Sequence, residues 1–74
     1  MTSMSNVRPD ELVLKIVREL EANHEFVMRV EARPLQNVVD VKWAIKTAAQ
    51  ILGRPVEAFE RRTGSHVVLV ASLS

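Results

Sequence analysis

The side chains able to carry chemistry in this chain are few: two histidines, one tryptophan and a scattered set of arginines and lysines. Acid–base or nucleophilic catalysis would need His24 or His66 to stand within hydrogen-bond reach of a carboxylate or an activated hydroxyl. Neither histidine has such a neighbourhood in the sequence. His24 follows the end of a helical pattern, and Ser65, beside His66, reads as part of a turn with Thr63 and Gly64. There is no cysteine, no His-x-x-x-His and no cluster of Asp and Glu at ligand spacing, so metal binding is not indicated. Gly53 and Gly64 are accounted for by a helix end and a turn, which leaves no phosphate loop. The expectation is a protein that is not an enzyme and that uses no cofactor, metal or small-molecule substrate.

Trp43 offers a different kind of chemistry. Lys42 and Lys46 flank it, so the indole could stack on an unpaired base or fill a protein pocket while a lysine meets a phosphate or a carboxylate. The plainer alternative is that another helix of the same chain covers the ring. Arginines form a second candidate: Arg29 and Arg33 fall on the outward side of a strand pattern, and Arg54, Arg61 and Arg62 flank a hairpin pattern. Glu31, Glu57 and Glu60 interrupt them, and alternating signs weaken a field that would track phosphates.

The elements that carry these residues follow from periodicity. From Asn37 to Pro55, the residues Val38, Val41, Ile45, Ala48 and Leu52 recur at steps of three and four and form one helical stripe. Asn37 is expected to cap this helix, Asp40 to complement the dipole in its first turn, and Gly53 to end it ahead of Pro55. Its far side carries Lys46, Val39, Gln50, Trp43 and Thr47, so the tryptophan is expected to point away from the core. An earlier helix opens at Pro9, with Asp10 and Glu11 in its first turn, and ends near Asn23. Its stripe is Leu12, Val13, Ile16, Val17 and Leu20, and Glu11 with Lys15 offers a small surface ion pair. Met1 to Val7 reads as a loose leader.

Between the helices, Phe26 to Arg33 alternates: Phe26, Met28, Val30 and Ala32 on one side, Val27, Arg29, Glu31 and Arg33 on the other. Val56 to Arg62 and Ser65 to Ala71 read as two further strands joined at Thr63-Gly64. The last strand is apolar on both faces, which suits the middle of a sheet. The expected fold is therefore α+β, in the order α-β-α-β-β. Both helices lie on one face of a three-stranded mixed sheet of order 1-3-2, in a single domain spanning residues 1–74. The direction of Phe59 is left open by the pattern. Such a sheet has a second face that neither helix covers.

Composition sets the outer limits. A chain of 74 residues without cysteine must rely on a compact core, on self-association or on both. Hydrophobic residues at 47% and charged residues at 26% are ordinary for a folded domain, and a net charge of +1 argues against a polybasic protein. No apolar run is long enough for a membrane span and no secretory signal opens the chain, so a cytoplasmic location is the expectation.

The segment Ala48-Ala49-Gln50-Ile51-Leu52-Gly53-Arg54-Pro55-Val56, with the hairpin after it, resembles a pattern in small proteins of actinobacteria, their phages and plasmids. There a strand leads into a helix ending Ala-Ala-x-x-Leu-Gly-x-x-Val, and a hairpin follows; the resemblance covers about the last half of this chain. The outline is also similar to the C-terminal domain of translation initiation factor three and to the nucleic-acid-binding domains defined by an Arg-x-x-x-His motif. Aligning on Leu52-Gly53 puts that motif's Arg and His at Trp43 and Thr47, where neither residue fits. Arg62 and His66 have the right spacing but enclose a turn.

Taken together, these features lead to the expectation of a small protein-binding module or adaptor that forms a homodimer. Its partner-binding residues would be Trp43, Lys46, Val39 and Gln50 on the helix and Val27, Arg29 and Arg33 on the sheet. The alternative is a nucleic-acid-binding accessory protein that uses Arg29, Arg33, Lys42, Trp43, Lys46, Arg61 and Arg62.

Overall fold

The computed structural model describes residues 9–74, with the side chains of Pro9 and Asp10 left aside. The leader expected at residues 1–7 and the dipole role of Asp10 lie outside the described part. Five elements follow in the expected order: α1 (Pro9–Asn23), β1 (Glu25–Glu31), α2 (Gln36–Leu52), β2 (Val56–Thr63) and β3 (His66–Leu73). The sheet order is β1-β3-β2. Both ladders are antiparallel, so β1 and β2 run parallel to each other with β3 between them.

The helices pack on each other and on β1 and β3, and the core lies between these layers. Leu12, Val13, Ile16 and Leu20 come down from α1; Val38, Val41, Ala44, Ile45 and Ala48 come from α2. The sheet answers with Phe26, Val67, Leu69 and Ala71, supported by half-buried Met28 and Val30. The helix stripes that periodicity marked are buried except for Val17 and Leu52, which are half-buried, and Ala44, which the stripe did not include, is fully buried. A smallest dimension of 17 Å fits one helix layer on one sheet among the described residues.

The helix ends show where local chemistry differs from expectation. Asn37 does not cap α2: the N-cap position is Leu35, and the Asn37 amide instead donates to the carbonyls of Glu31 (3.3 Å) and Arg33 (3.4 Å). It ties the incoming loop to the helix rather than satisfying the helix's own first N–H groups. Because α2 begins at Gln36, Asp40 lies beyond the first turn, where it accepts a 2.7 Å hydrogen bond from Gln36. At the other end Gly53 takes the expected left-handed conformation, φ 66° and ψ 29°, and its N–H reaches the carbonyls of Ala49 and Gln50. Glu11 and Lys15 do not close an ion pair; among the described residues the salt bridge is Lys42 to Glu60, at 2.9 Å on the surface.

The strands also shift slightly. β1 ends at Glu31, two residues short of the expected Arg33, which belongs to the loop before α2. The hairpin turn is Gly64-Ser65 rather than Thr63-Gly64, because Thr63 still pairs with His66. A positive φ at Gly64 and not at Ser65 is the combination of a type II′ turn, which places glycine first. Ser65 is thus a turn residue.

Candidate functional site

Register places the side chains of the sheet in rows. On the face turned to the helices, Phe26, Ala71 and Ala58 lie abreast, as do Met28, Leu69 and Glu60. The helix layer covers β2 only in part: among the described residues α1 makes no contact with it, α2 reaches it with Lys42 bridging to Glu60, and of its eight residues only Val56 is even half-buried. Its inward positions Ala58, Glu60 and Arg62 offer little apolar surface for a helix to cover. The expectation that both helices would lie on one face holds for β1 and β3, and over β2 the cover is partial and comes from α2 alone.

Among the described residues, the opposite face is open across all three strands. Four rows cross it: Glu25–Ser72–Glu57, Val27–Val70–Phe59, Arg29–Val68–Arg61 and Glu31–His66–Thr63. Phe59, whose direction the pattern left open, points to this face and is 60% exposed; Val27 is 54% exposed. Val68 and Val70 are half-buried by their neighbours alone. An apolar band therefore runs from one edge of the sheet to the other, with acidic corners on one side and arginines on the other.

Residues expected to act together fall on separate surfaces. Val27 and Arg29 are on the open sheet face, where Arg61 joins Arg29 in one row across Val68. Trp43, Val39, Lys46 and Gln50 are exposed on α2, on the far side of the molecule from that face. Trp43 is 53% exposed, so α1 does not cover it. Leu35 and Val39 stand one turn apart below Trp43 and form with it an exposed ridge, of which the helical period marks Val39 and Trp43 and not Leu35. Arg33 lies in the loop and Arg62 on the helix side of β2, while Lys42 is engaged by Glu60. The seven basic and aromatic residues of the nucleic-acid alternative are thus spread over several surfaces rather than lining one groove.

The two histidines lie at opposite ends of the sheet. His66 pairs with Glu31 at one end, and the His24 carbonyl accepts from the Leu73 N–H at the other. Among the described residues no three His, Asp or Glu side chains converge as metal ligands would. Among them, too, no helix is long and apolar enough to cross a membrane. No family model, curated protein or solved structure matches the chain.

Proposed function

We propose that this chain is a non-enzymatic protein-binding module of the cytoplasm, that it associates with itself, and that the open sheet face is its working surface. The observation that carries the reading is the uncovered row Val27–Val70–Phe59. Fully burying side chains of this kind is worth about 1.5–3 kcal/mol each, a gain the monomer forgoes and a partner can collect. The Leu35–Val39–Trp43 ridge on the opposite side supplies a second surface, which suits an adaptor.

Phe59→Asp and Trp43→Ala test the two surfaces separately. Cross-linking should lose protein adducts, to itself or to another protein, when the responsible surface is altered while thermal melts stay close to wild type. If neither substitution changes any association, the reading fails.

Arg29 and Arg61 in one row beside Phe59 favour a second reading, in which bases stack on the ring and guanidinium groups hold phosphates. Glu25, Glu57 and Glu31 in the adjoining rows oppose it. Binding to a labelled single-stranded oligonucleotide should fall steeply with salt under this reading, and no binding at low salt removes it.

A further inference from the structure

The geometry points to a specific occupant for the open sheet face: a second copy of the same chain, packed face to face with its rows in reverse order. This rests on the proposed reading of that face as the protein-binding surface of a self-associating chain and goes further by fixing the symmetry and the residue pairs of the association. The argument is one of charge and symmetry. The row Glu25–Ser72–Glu57 and the row Arg29–Val68–Arg61 stand on either side of the apolar row Val27–Val70–Phe59. Each row is two residues from the next, about 7 Å along the strand.

Two sheets facing each other through a twofold axis can be related in two ways. An axis parallel to the strands lays each row on its own copy, so Glu25 meets Glu57 of the second copy and Arg29 meets Arg61. Like charges then oppose at every corner. An axis across the strands, centred on the apolar row, reverses the rows and keeps each strand over its own copy. Glu25 then meets Arg29 and Glu57 meets Arg61, twice each, while Val27, Val70 and Phe59 meet their own counterparts on the axis. Ser72 falls opposite Val68. Only this arrangement pairs all four charged residues of these three rows around a continuous apolar centre, with Glu31 in the fourth row lying beyond the overlap, and the approximately 30° rotation between aligned sheets leaves the pairs within reach of Arg and Glu side chains.

The area fits a modest affinity. Reversed about Val27–Val70–Phe59, three rows overlap and the row Glu31–His66–Thr63 overhangs, so three strands about 4.8 Å apart and about six residues at about 3.4 Å each give a shared face of roughly 14 by 20 Å. Two such faces, with side-chain relief, bury somewhat under about 1,000 Å², below the standard size, so the dimer should be a weak one that dissociates at about 100 μM or above.

The test is sedimentation equilibrium of the full chain with charge reversals at exposed corners. Wild type should be a concentration-dependent dimer, and Glu57→Arg, Arg61→Glu, Glu25→Arg and Arg29→Glu should each weaken it by about tenfold or more. Mixing Glu57→Arg with Arg61→Glu should restore association, as should mixing Glu25→Arg with Arg29→Glu. Mixing Glu25→Arg with Arg61→Glu should not. Reversals that matter on one strand only would mean pairing along a sheet edge and overturn the proposal; tightening by Glu25→Arg would mean the other axis and overturn it too. A wild type that is monomeric at every concentration also overturns it, yet the broader reading survives if Phe59→Asp still abolishes binding of a different protein. Circular dichroism melts of each variant at low concentration separate lost association from lost folding.

Discussion

Trp43 and Ile45 are two residues apart on α2 and lie on different sides of it, which makes them a matched pair of probes. Ile45 is 4% exposed among the core residues, so Ile45→Ala should cost about 2–5 kcal/mol through lost burial and a residual cavity. Trp43→Ala, by contrast, should change the melt of dilute protein by less than about 1 kcal/mol, since half the ring is already in water. Equal losses in the two melts would contradict the exposed placement of the indole. His24 supplies a third probe. It takes a left-handed φ of 64° just after α1, where its N–H reaches the Leu20 carbonyl, a conformation that costs a residue with a Cβ about 1–2 kcal/mol. The extra freedom of glycine in the unfolded chain offsets part of that strain, so His24→Gly should raise stability by about 0.5–1 kcal/mol. A lower melting temperature for this variant would show that the histidine ring makes a compensating contact.

At the scale of elements, the sequence was most readable where burial repeats at a fixed period. The α1 and α2 stripes and the Phe26–Met28–Val30 alternation each encode one face, and the doubly apolar run His66–Ala71 encodes a central strand because both its faces meet neighbours or helices. Residues whose role depends on distant partners were not readable in this way. Asn37 is as good a cap as any by type, yet the carbonyls of Glu31 and Arg33 claim its amide. Phe59 stayed ambiguous because β2 is exposed on both faces and so carries no alternation to betray its direction. Rows such as Val27–Val70–Phe59 bring together three strands, and no local pattern contains them. The same asymmetry makes a prediction for hydrogen exchange. The amides of β3, bonded on both sides, should be the slowest to exchange, while alternate amides of the edge strand β2 should exchange quickly. Uniform protection across β2 in dilute protein would mean that its outer edge is paired after all.

For the molecule as a whole, the decisive feature is that, among the described residues, one layer of helices and one of strands leaves a sheet face without cover. Small domains hold slender margins of stability, so apolar surface that remains wet in the monomer becomes a reserve that assembly can draw on. If the second copy supplies that cover, folding and association are linked, and melting must depend on protein concentration. Above the dissociation constant, each tenfold increase adds about 1.4 kcal/mol to the dimer, or roughly 0.7 kcal/mol per chain, which should raise the melting temperature by about 3–6 °C for a domain of this size. Glu57→Arg and Arg61→Glu should each move that dependence to at least about tenfold higher protein concentration and leave the melt of dilute protein almost unchanged, because both side chains are exposed in the monomer. An equimolar mixture of the two should return it toward the wild-type range. A wild-type melting temperature that is flat across concentration would mean that the chain meets its need for stability alone and that the open face is kept for something other than itself.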